Sequence, residues 1–558
     1  MAVALLALAC RPQVATQPAR SSPAGGPVRV SVPLSPPSPG TPFSEGHGPR
    51  TAPPFLVTDN PLPTGPGNDV HIVVRADQPA APVPRTLLGN NAAVWLDRSF
   101  LFHPTFEERL QNAGTAIIRW PGGSIADHFH WDNNVPPTGP AAEWPELHDP
   151  VMAPSTGAFL TLAARLDALP IIVVNHGFTS YGGGPADRRL ENAVNLAADW
   201  VEYCNAEADG SNPRGGVDQA ARRAADGFPR SLKVTYWEVG NEVFGPWEVG
   251  HTDGATYARH FVAFARAMKE VDPTIRVGAN AVVNFDRPGT TTWMAQFLSN
   301  QEAVAAADFI DIHDYFTYVH DAGRLPKDRE IRGYFLQIHE DREELDRLFA
   351  RWAGRPVPPI FFGEFHLSHP QNPLNVSLAA GLVTATVLGE MATEGFAAAA
   401  FWDSANEWGN GGDLGFVSRS HPAVPDFAPH PAYYAFWLWA RNMGDTLVSA
   451  ETDDFGLRIY AGTFADGPTG VMIVNPTDAP RNARLTVTGT TLDGYVNAFV
   501  LTGPAFKGSA FSFNGIATAH GVAGVPPESA VPYTGDAGRD HPLTVHLPAY
   551  SLTSLVIY

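Results

Sequence analysis

Two glutamates stand out by the company they keep. Glu242 closes the run Gly240-Asn241-Glu242 and is followed by Gly245-Pro246-Trp247. Glu364 lies in Gly363-Glu364-Phe365-His366, directly after the apolar run Ile360-Phe361-Phe362. Two carboxyl groups facing each other are what glycosidic bond cleavage requires. One protonates the departing oxygen, and the other attacks the anomeric carbon or activates water. Further polar and aromatic residues end similar apolar runs: Arg119-Trp120-Pro121-Gly122-Gly123, Asn175-His176-Gly177, His313-Asp314-Tyr315 and Trp402-Asp403. Glu238 precedes the Gly-Asn-Glu corner and reads as a deeper, structural acid. His176, His313 and His366 lack an HExxH-type spacing, so no metal is expected. Without a Gly-rich phosphate loop after the first strand, a nucleotide-binding fold is not expected either, and no cofactor is called for.

These residues need a scaffold that brings strand ends together. Eight short apolar runs alternate with helical stretches between residues 86 and 442: 87–95, 115–120, 170–175, 233–242, 275–280, 309–315, 359–365 and 398–402. Alternating strands and helices imply parallel strands with helical crossovers. Eight such units predict an α/β fold of the (β/α)₈ TIM-barrel type, whose active residues sit where strands run into their following loops. Glu242 then ends strand four and Glu364 strand seven, across the mouth from each other. A separation near ~5.5 Å would mean net retention of configuration.

After Arg441 the texture changes. FGLRIYAGTF, TGVMIVNP, NARLTVTG and SLTSLVIY alternate at period two, which predicts a C-terminal antiparallel β-sandwich over 443–558. The run at 69–76 has no helix of its own, so residues 67–85 are assigned to the same sandwich. Residues 11–66 hold fifteen of the 52 prolines and read as a disordered tether. Residues 1–10, MAVALLALAC, resemble the back half of a bacterial lipoprotein signal with Cys10 as the lipidated residue, although no Lys or Arg precedes Arg11. Export is therefore expected, as a secreted protein or as a cell-surface lipoprotein with a membrane tether through Cys10. The formal charge of −20, from 57 acidic and 37 basic residues, argues against nucleic-acid binding and favours a neutral glycan over an anionic one.

The motifs carry a resemblance. YWEVGNEVFGPWE (236–248) resembles the strand-four motif of clan A glycoside hydrolases, and its Gly-Asn-Glu-x-x-Gly-Pro-Trp form is similar to family 51, the α-L-arabinofuranosidases. IIRWPGGSIADHFHWDN (117–133) is similar to the strand-two region of that family. The resemblance implies Glu242 as acid/base, Glu364 as nucleophile and Asn241 as the ligand of the sugar 2-hydroxyl. It implies Arg119 beneath the nucleophile, Tyr315 orienting it, and Trp402 and Trp131 as apolar faces for the sugar. Asn175, His313 and Trp247 complete the candidate substrate-binding set. Two departures stand in the sugar-binding shell: Ser124 where the family usually has Asn, and Gly363-Glu364-Phe365-His366 where it commonly reads Asp-Glu-Trp-Asn. The same two-glutamate plan serves families 39, 44 and 79. An endo-acting β-glycanase, another exo-glycosidase of the clan, or a surface glycan-binding protein on a retired barrel therefore stay open.

Overall fold

The computed structural model describes residues 42–44, 48–132, 155–182, 186–283, 290–319, 322–518, 521–537 and 542–558. The lipoprotein-like segment 1–10 and most of the proposed tether lie outside them.

Eight parallel strands close into a barrel in sequence order: Gly89–Asn91, Ile117–Trp120, Leu169–Val174, Tyr236–Val239, Arg276–Asn280, Phe309–Tyr318, Ile360–His369 and Ala398–Phe401. Asn90 pairs with Phe401 and shuts the ring. Each lies within or overlaps one of the eight apolar runs. The crossover helices bury one stripe each. The helix Gly254–Val271 begins at Asp253, whose carboxylate accepts from the Thr256 N–H, and turns Tyr257, Phe261, Phe264, Ala265 and Met268 inward.

Side chains alternate faces along a strand, so residues two apart share a face. Ile117, Ile171, Tyr236, Phe309, Phe361 and Ala398 form an apolar floor inside the barrel. Two residues further along, Arg119, Glu238 and Asp311 lie at the next level, each no more than 1% exposed. The period that builds the floor therefore also builds a charged layer above it.

Strand seven departs from regular pairing. Ile312 pairs with Phe362, but His313 pairs with Glu364, so Gly363 is an extra, bulged residue. Such a bulge re-aims the side chain that follows it. The Gly363 N–H donates to Asp311 Oδ1 at 2.8 Å, and its carbonyl accepts from Asn91 Nδ2 at 2.8 Å. A methyl group at this position would stand 2.3 Å from Asp311 Oδ1, so close approach demands glycine here.

The C-terminal region is a mostly antiparallel sheet network of eleven strands. The strand Asn68–Pro82 joins it from before the barrel. It runs antiparallel to Thr446–Thr452 and parallel to Arg481–Thr488. A parallel pair needs a long connection, and here the whole barrel lies between the two strands in sequence. Ile72, Val74, Val471, Ile473, Leu555 and Ile557 supply the sheet core. The helix Pro431–Asn442 ties sheet to barrel. Trp437 packs on Phe499 and Phe513, Tyr433 donates its hydroxyl to the Arg109 carbonyl at 3.1 Å, and Asn442 donates to Ser554 Oγ at 2.9 Å.

Residues 42–44 and 48–66, read from composition as part of a tether, are docked. The Phe43 ring stacks on Tyr236 with centroids 4.3 Å apart, beneath the barrel floor. Leu56 exchanges two backbone-to-amide hydrogen bonds with Asn497, both 2.8 Å, and Tyr558 donates its hydroxyl to the Pro53 carbonyl at 2.7 Å. A few apolar and carbonyl anchors suffice because proline-rich chain leaves few donors to satisfy. A cavity of about 690 Å³ opens beside Phe43, lined by Pro42, Pro359, Phe396 and Thr463. It lies at the floor end of the barrel and contains neither Glu242 nor Glu364.

Candidate active site

At the strand ends above the charged layer, Glu242, His313 and Glu364 converge. One oxygen or nitrogen of each lies within 4.8 Å of the others. Glu242 reaches the mouth through a sharp corner: Gly240 has φ +75° and Glu242 itself φ +42°. A side chain at Gly240 would strike His176 Cβ at 2.7 Å. The corner that marks the motif is thus a backbone requirement as well as a chemical one.

The two glutamates have different surroundings. Glu364 is almost fully buried. It accepts from Arg119 Nη1 at 2.9 Å and from the Tyr315 hydroxyl at 2.7 Å. Burial pushes its carboxyl above the usual range, while His313 and Arg119 hold it back from going further. Glu242 is more open. One oxygen accepts from the exposed Trp247 indole N–H at 2.8 Å, and the other faces His313 Nδ1 at 3.0 Å.

His313 bridges the site. Its Nε2 lies 2.9 Å from Asp311 Oδ2, and its Nδ1 is 3.8 Å from a Glu364 oxygen. Burial alone would lower the imidazole, but Asp311 and Glu364 outweigh it and hold it well above the ordinary histidine range. His313 is therefore a cation that donates on both sides.

Arg119 is fully buried and spends its donors on Glu238, Glu364, Asn91 and Asn241 at 2.8, 2.9, 3.0 and 2.9 Å. Glu238 and Asp311 share the space below it. Burial drives Glu238 well above the carboxylate range, while His313 helps hold Asp311 below it. Arg119 and His313 supply the positive charge that faces Glu238, Asp311 and Glu364. Glu238–Asp311–His313 and Glu242–His313–Glu364 have donor sets that could hold a cation. The same oxygens already accept from Arg119, Asn280, Tyr315 and Trp247, and a cation would meet the Arg119 guanidinium.

The other candidates divide. Trp402 stands at the mouth: a methyl on Gly123 would meet its ring at 2.9 Å and Glu364 at 3.3 Å. Trp131 is drawn outward instead. Its ring stacks on Trp200 at 5.8 Å, and its N–H donates to the Leu196 carbonyl at 2.9 Å, so the helical layer rather than the mouth takes this ring. Asn175 is spent on tying its own loop to the loop after strand two. Its amide donates to the Phe129 carbonyl and the Tyr181 hydroxyl, and its oxygen accepts from the Phe178 N–H. His366 is buried and held neutral, with its pKa pushed down to about 3 by burial.

Three groups escaped the sequence reading. Asp311 carries the period-two signal from His313 and could have been found. Asp127 accepts from the backbone N–H groups of His176, Gly177 and Asn241 at 3.0, 3.1 and 3.4 Å, tying strand end three to strand end four. Glu248 lies in the quoted motif, yet nothing in its spacing shows that it turns inward. Its Oε1 accepts from Ser124 Oγ at 2.7 Å and Asn241 Nδ2 at 3.1 Å.

Residues 109–325 match the model of the α-L-arabinofuranosidase 1 domain. The likeness is to the family 51 arabinofuranosidases. An α-L-arabinofuranosidase from Thermotoga maritima, solved as an arabinose complex, has the same fold at a TM-score of 0.66, with 20% identity, covering 87% of this chain and 99% of that one. The intracellular exo-α-(1→5)-L-arabinofuranosidase 1 of Bacillus subtilis is 28% identical over 221 residues, 38% of this chain and 39% of its own. The corresponding intracellular enzyme of Acetivibrio thermocellus is 29% identical over 212 residues, 38% of each. The alignments thus span about two fifths of these curated relatives.

These names overturn the expectation of a secreted or surface-anchored lipoprotein. Two of these relatives are called intracellular. Among the described residues, no helix is long and apolar enough to cross a membrane. A short apolar start ending in cysteine is a weak signal, and the last part of the proline-rich stretch after it is docked on the fold.

Proposed function

We propose that this protein is a retaining glycoside hydrolase of the α-L-arabinofuranosidase kind, acting on a neutral oligo- or polysaccharide. The observation that carries the reading is the pairing of Glu242 and Glu364, with oxygens within 4.8 Å across the barrel mouth and unlike surroundings. Retaining enzymes hold their carboxyl groups ~5–5.5 Å apart, whereas inverting ones leave room for a water.

Glu364, ion-paired to Arg119 and oriented by Tyr315, is the nucleophile. It attacks the anomeric carbon as Glu242 gives its proton to the departing glycosidic oxygen, leaving the sugar as an ester on Glu364. Water then attacks the same carbon. Glu242 takes the water proton, the ester bond breaks, and Glu364 leaves as carboxylate. Trp247 and His313 fix the Glu242 carboxyl in line with the leaving oxygen. Trp402 gives the sugar an apolar wall. The substrate class is supported by the domain match at 109–325 and by the printed activities of the relatives.

The test is hydrolysis of a panel of aryl glycosides by the full chain, with the anomer released followed by NMR. Release from the α-L-arabinofuranoside with retention, lost in Glu242→Gln on poor leaving groups and in Glu364→Ala on all, supports the reading. Inversion, or full activity in either variant, overturns it.

A further inference from the structure

Glu248 is a carboxyl near the mouth that the proposed reaction does not use. It is 5% exposed and follows Trp247, six residues after Glu242. Its Oε1 accepts both the Ser124 hydroxyl and an Asn241 amide N–H. Its Oε2 is buried and has no hydrogen-bond partner among the described residues. Burial, with Asp127 and Glu242 nearby, pushes the carboxyl well above its ordinary range. Oε1 has lone pairs enough for both of its donors.

The consequence falls on Asn241. Its amide oxygen accepts from Arg119 Nη2 at 2.9 Å, and one amide N–H goes to Glu248 at 3.1 Å. With both ends of the carboxamide tied, its plane is set and the second N–H has one direction left. Removing Glu248 frees the amide end, and Arg119 alone leaves the carboxamide free to swing about its accepting oxygen.

We propose that Glu248 is a positioning residue. Together with Arg119 it orients the Asn241 carboxamide, so that the remaining N–H is presented to the sugar hydroxyl next to the anomeric carbon. This rests on the glycosidase reading for its substrate, but the orientation of Asn241 does not. Ser124 at the rim belongs to the same unit. It stands where the family usually has Asn, and its hydroxyl fills the second lone pair of Oε1.

Two measurements on the full chain separate the parts. The first compares crystal structures of Glu248→Ala and Glu248→Gln. Glu248→Gln keeps an oxygen acceptor for the Asn241 amide and leaves the carboxamide in place. Glu248→Ala shows it rotated or in two positions. An unmoved Asn241 in Glu248→Ala overturns the proposal, whatever the enzyme cleaves. The second measurement is the ratio of kcat/KM for the aryl glycoside that the protein cleaves best to that for its 2-deoxy analogue. A hydrogen bond made in the transition state gives the wild type a preference of about 10–100-fold. Glu248→Ala should lose most of that ratio, chiefly through kcat on the 2-hydroxyl substrate, and Glu248→Gln should restore it. An equal loss on both substrates, with the ratio intact, means a merely structural role and overturns the proposal. If the wild type cleaves no glycoside in the panel, the glycosidase reading falls, and the crystal comparison still decides whether Glu248 sets Asn241.

Discussion

His313 and Glu242 meet at 3.0 Å, Nδ1 to carboxylate oxygen, with the imidazole held charged by the acids behind it. A cation beside a carboxyl favours its ionised form. Replacing His313 by Gln removes that cation and raises the pKa of the acid/base. The alkaline limb of kcat/KM, where the acid must still carry its proton, should move to higher pH. The pH–rate profile of His313→Gln on a glycoside with a poor leaving group checks this. A limb that stays in place would mean that His313 is neutral or that another acid sets the limb.

Glu242 and Glu364 should fail in different ways. General acid catalysis is worth ~10²–10⁴-fold, and most when the leaving group is poor. Glu242→Gln should keep much of its first-step rate on a dinitrophenyl glycoside and lose it on an alkyl glycoside. Glu364→Ala should lose both, because no glycosyl ester can form. Rates for the two variants across a leaving-group series decide the assignment. A flat dependence in Glu242→Gln would remove it from the acid role.

Arg119 serves the fold and the site at once. Its guanidinium reaches Glu238, Glu364, Asn91 and Asn241 from full burial. Removing one partner from a buried ionic network costs about 3–5 kcal/mol, because the acids left behind lose their counter-charge. Arg119→Met should therefore lower the denaturant midpoint markedly and abolish activity. Arg119→Lys should lose activity as well, since an ammonium cannot supply the fork that spans Glu238 and Glu364.

The buried histidines predict how the fold responds to acid. Burial pushes His176 and His366 down to about 3, and His128 to about 4, against 6.5 for a free imidazole. Between those values the unfolded chain binds protons that these rings do not bind in the native state, so their contribution to stability falls as pH falls from about 6.5 towards 4. Buried acids with raised pKa, such as Asp127, Glu238 and Glu248, act in the opposite direction, so the histidine contribution is read as a difference between variant and wild type. His366→Asn, if it folds, should gain melting temperature relative to the wild type as the pH is lowered from about 7 to 4. A difference that does not change between about pH 6.5 and 4.5 would contradict the burial of His366 as a neutral group.

Much of this was readable because it follows from period and punctuation. Apolar runs of strand length between amphipathic helices made the barrel legible, and the Gly-Asn-Glu corner made Glu242 legible. Arg119, Tyr315 and Trp402 followed from lying at strand ends. What stayed hidden depends on which way a loop side chain turns. Trp131 and Trp402 are both aromatics near the mouth in sequence, yet one stacks on Trp200 and the other stands beside Glu364. Asn175 ends a strand as expected, but its hydrogen bonds go to its own loop and to the loop after strand two. Phe43 and Leu56 lie in a stretch whose proline content masks two good anchors.

Gly363 shows the same limit most sharply, and it makes a prediction. From sequence it was only a departure from the common Asp before the nucleophile. In the fold it is the bulge that brings Glu364 opposite His313, with Asp311 Oδ1 only 2.3 Å from where a Cβ would lie. Asp311 cannot yield freely, because His313 and the Gly363 N–H both hold its carboxylate. Gly363→Ala should destabilise the fold by about 1–3 kcal/mol through overpacking. It should also lower kcat well below what the folded fraction explains, by tilting Glu364 off the line set by Tyr315. Gly333→Ala, where a Cβ meets nothing within 4 Å, is the control and should stay within about 0.5 kcal/mol of the wild type. Chemical denaturation with kcat measured on the folded protein separates the two effects. Normal kcat in a destabilised Gly363→Ala would mean that the bulge supports the barrel without aiming Glu364.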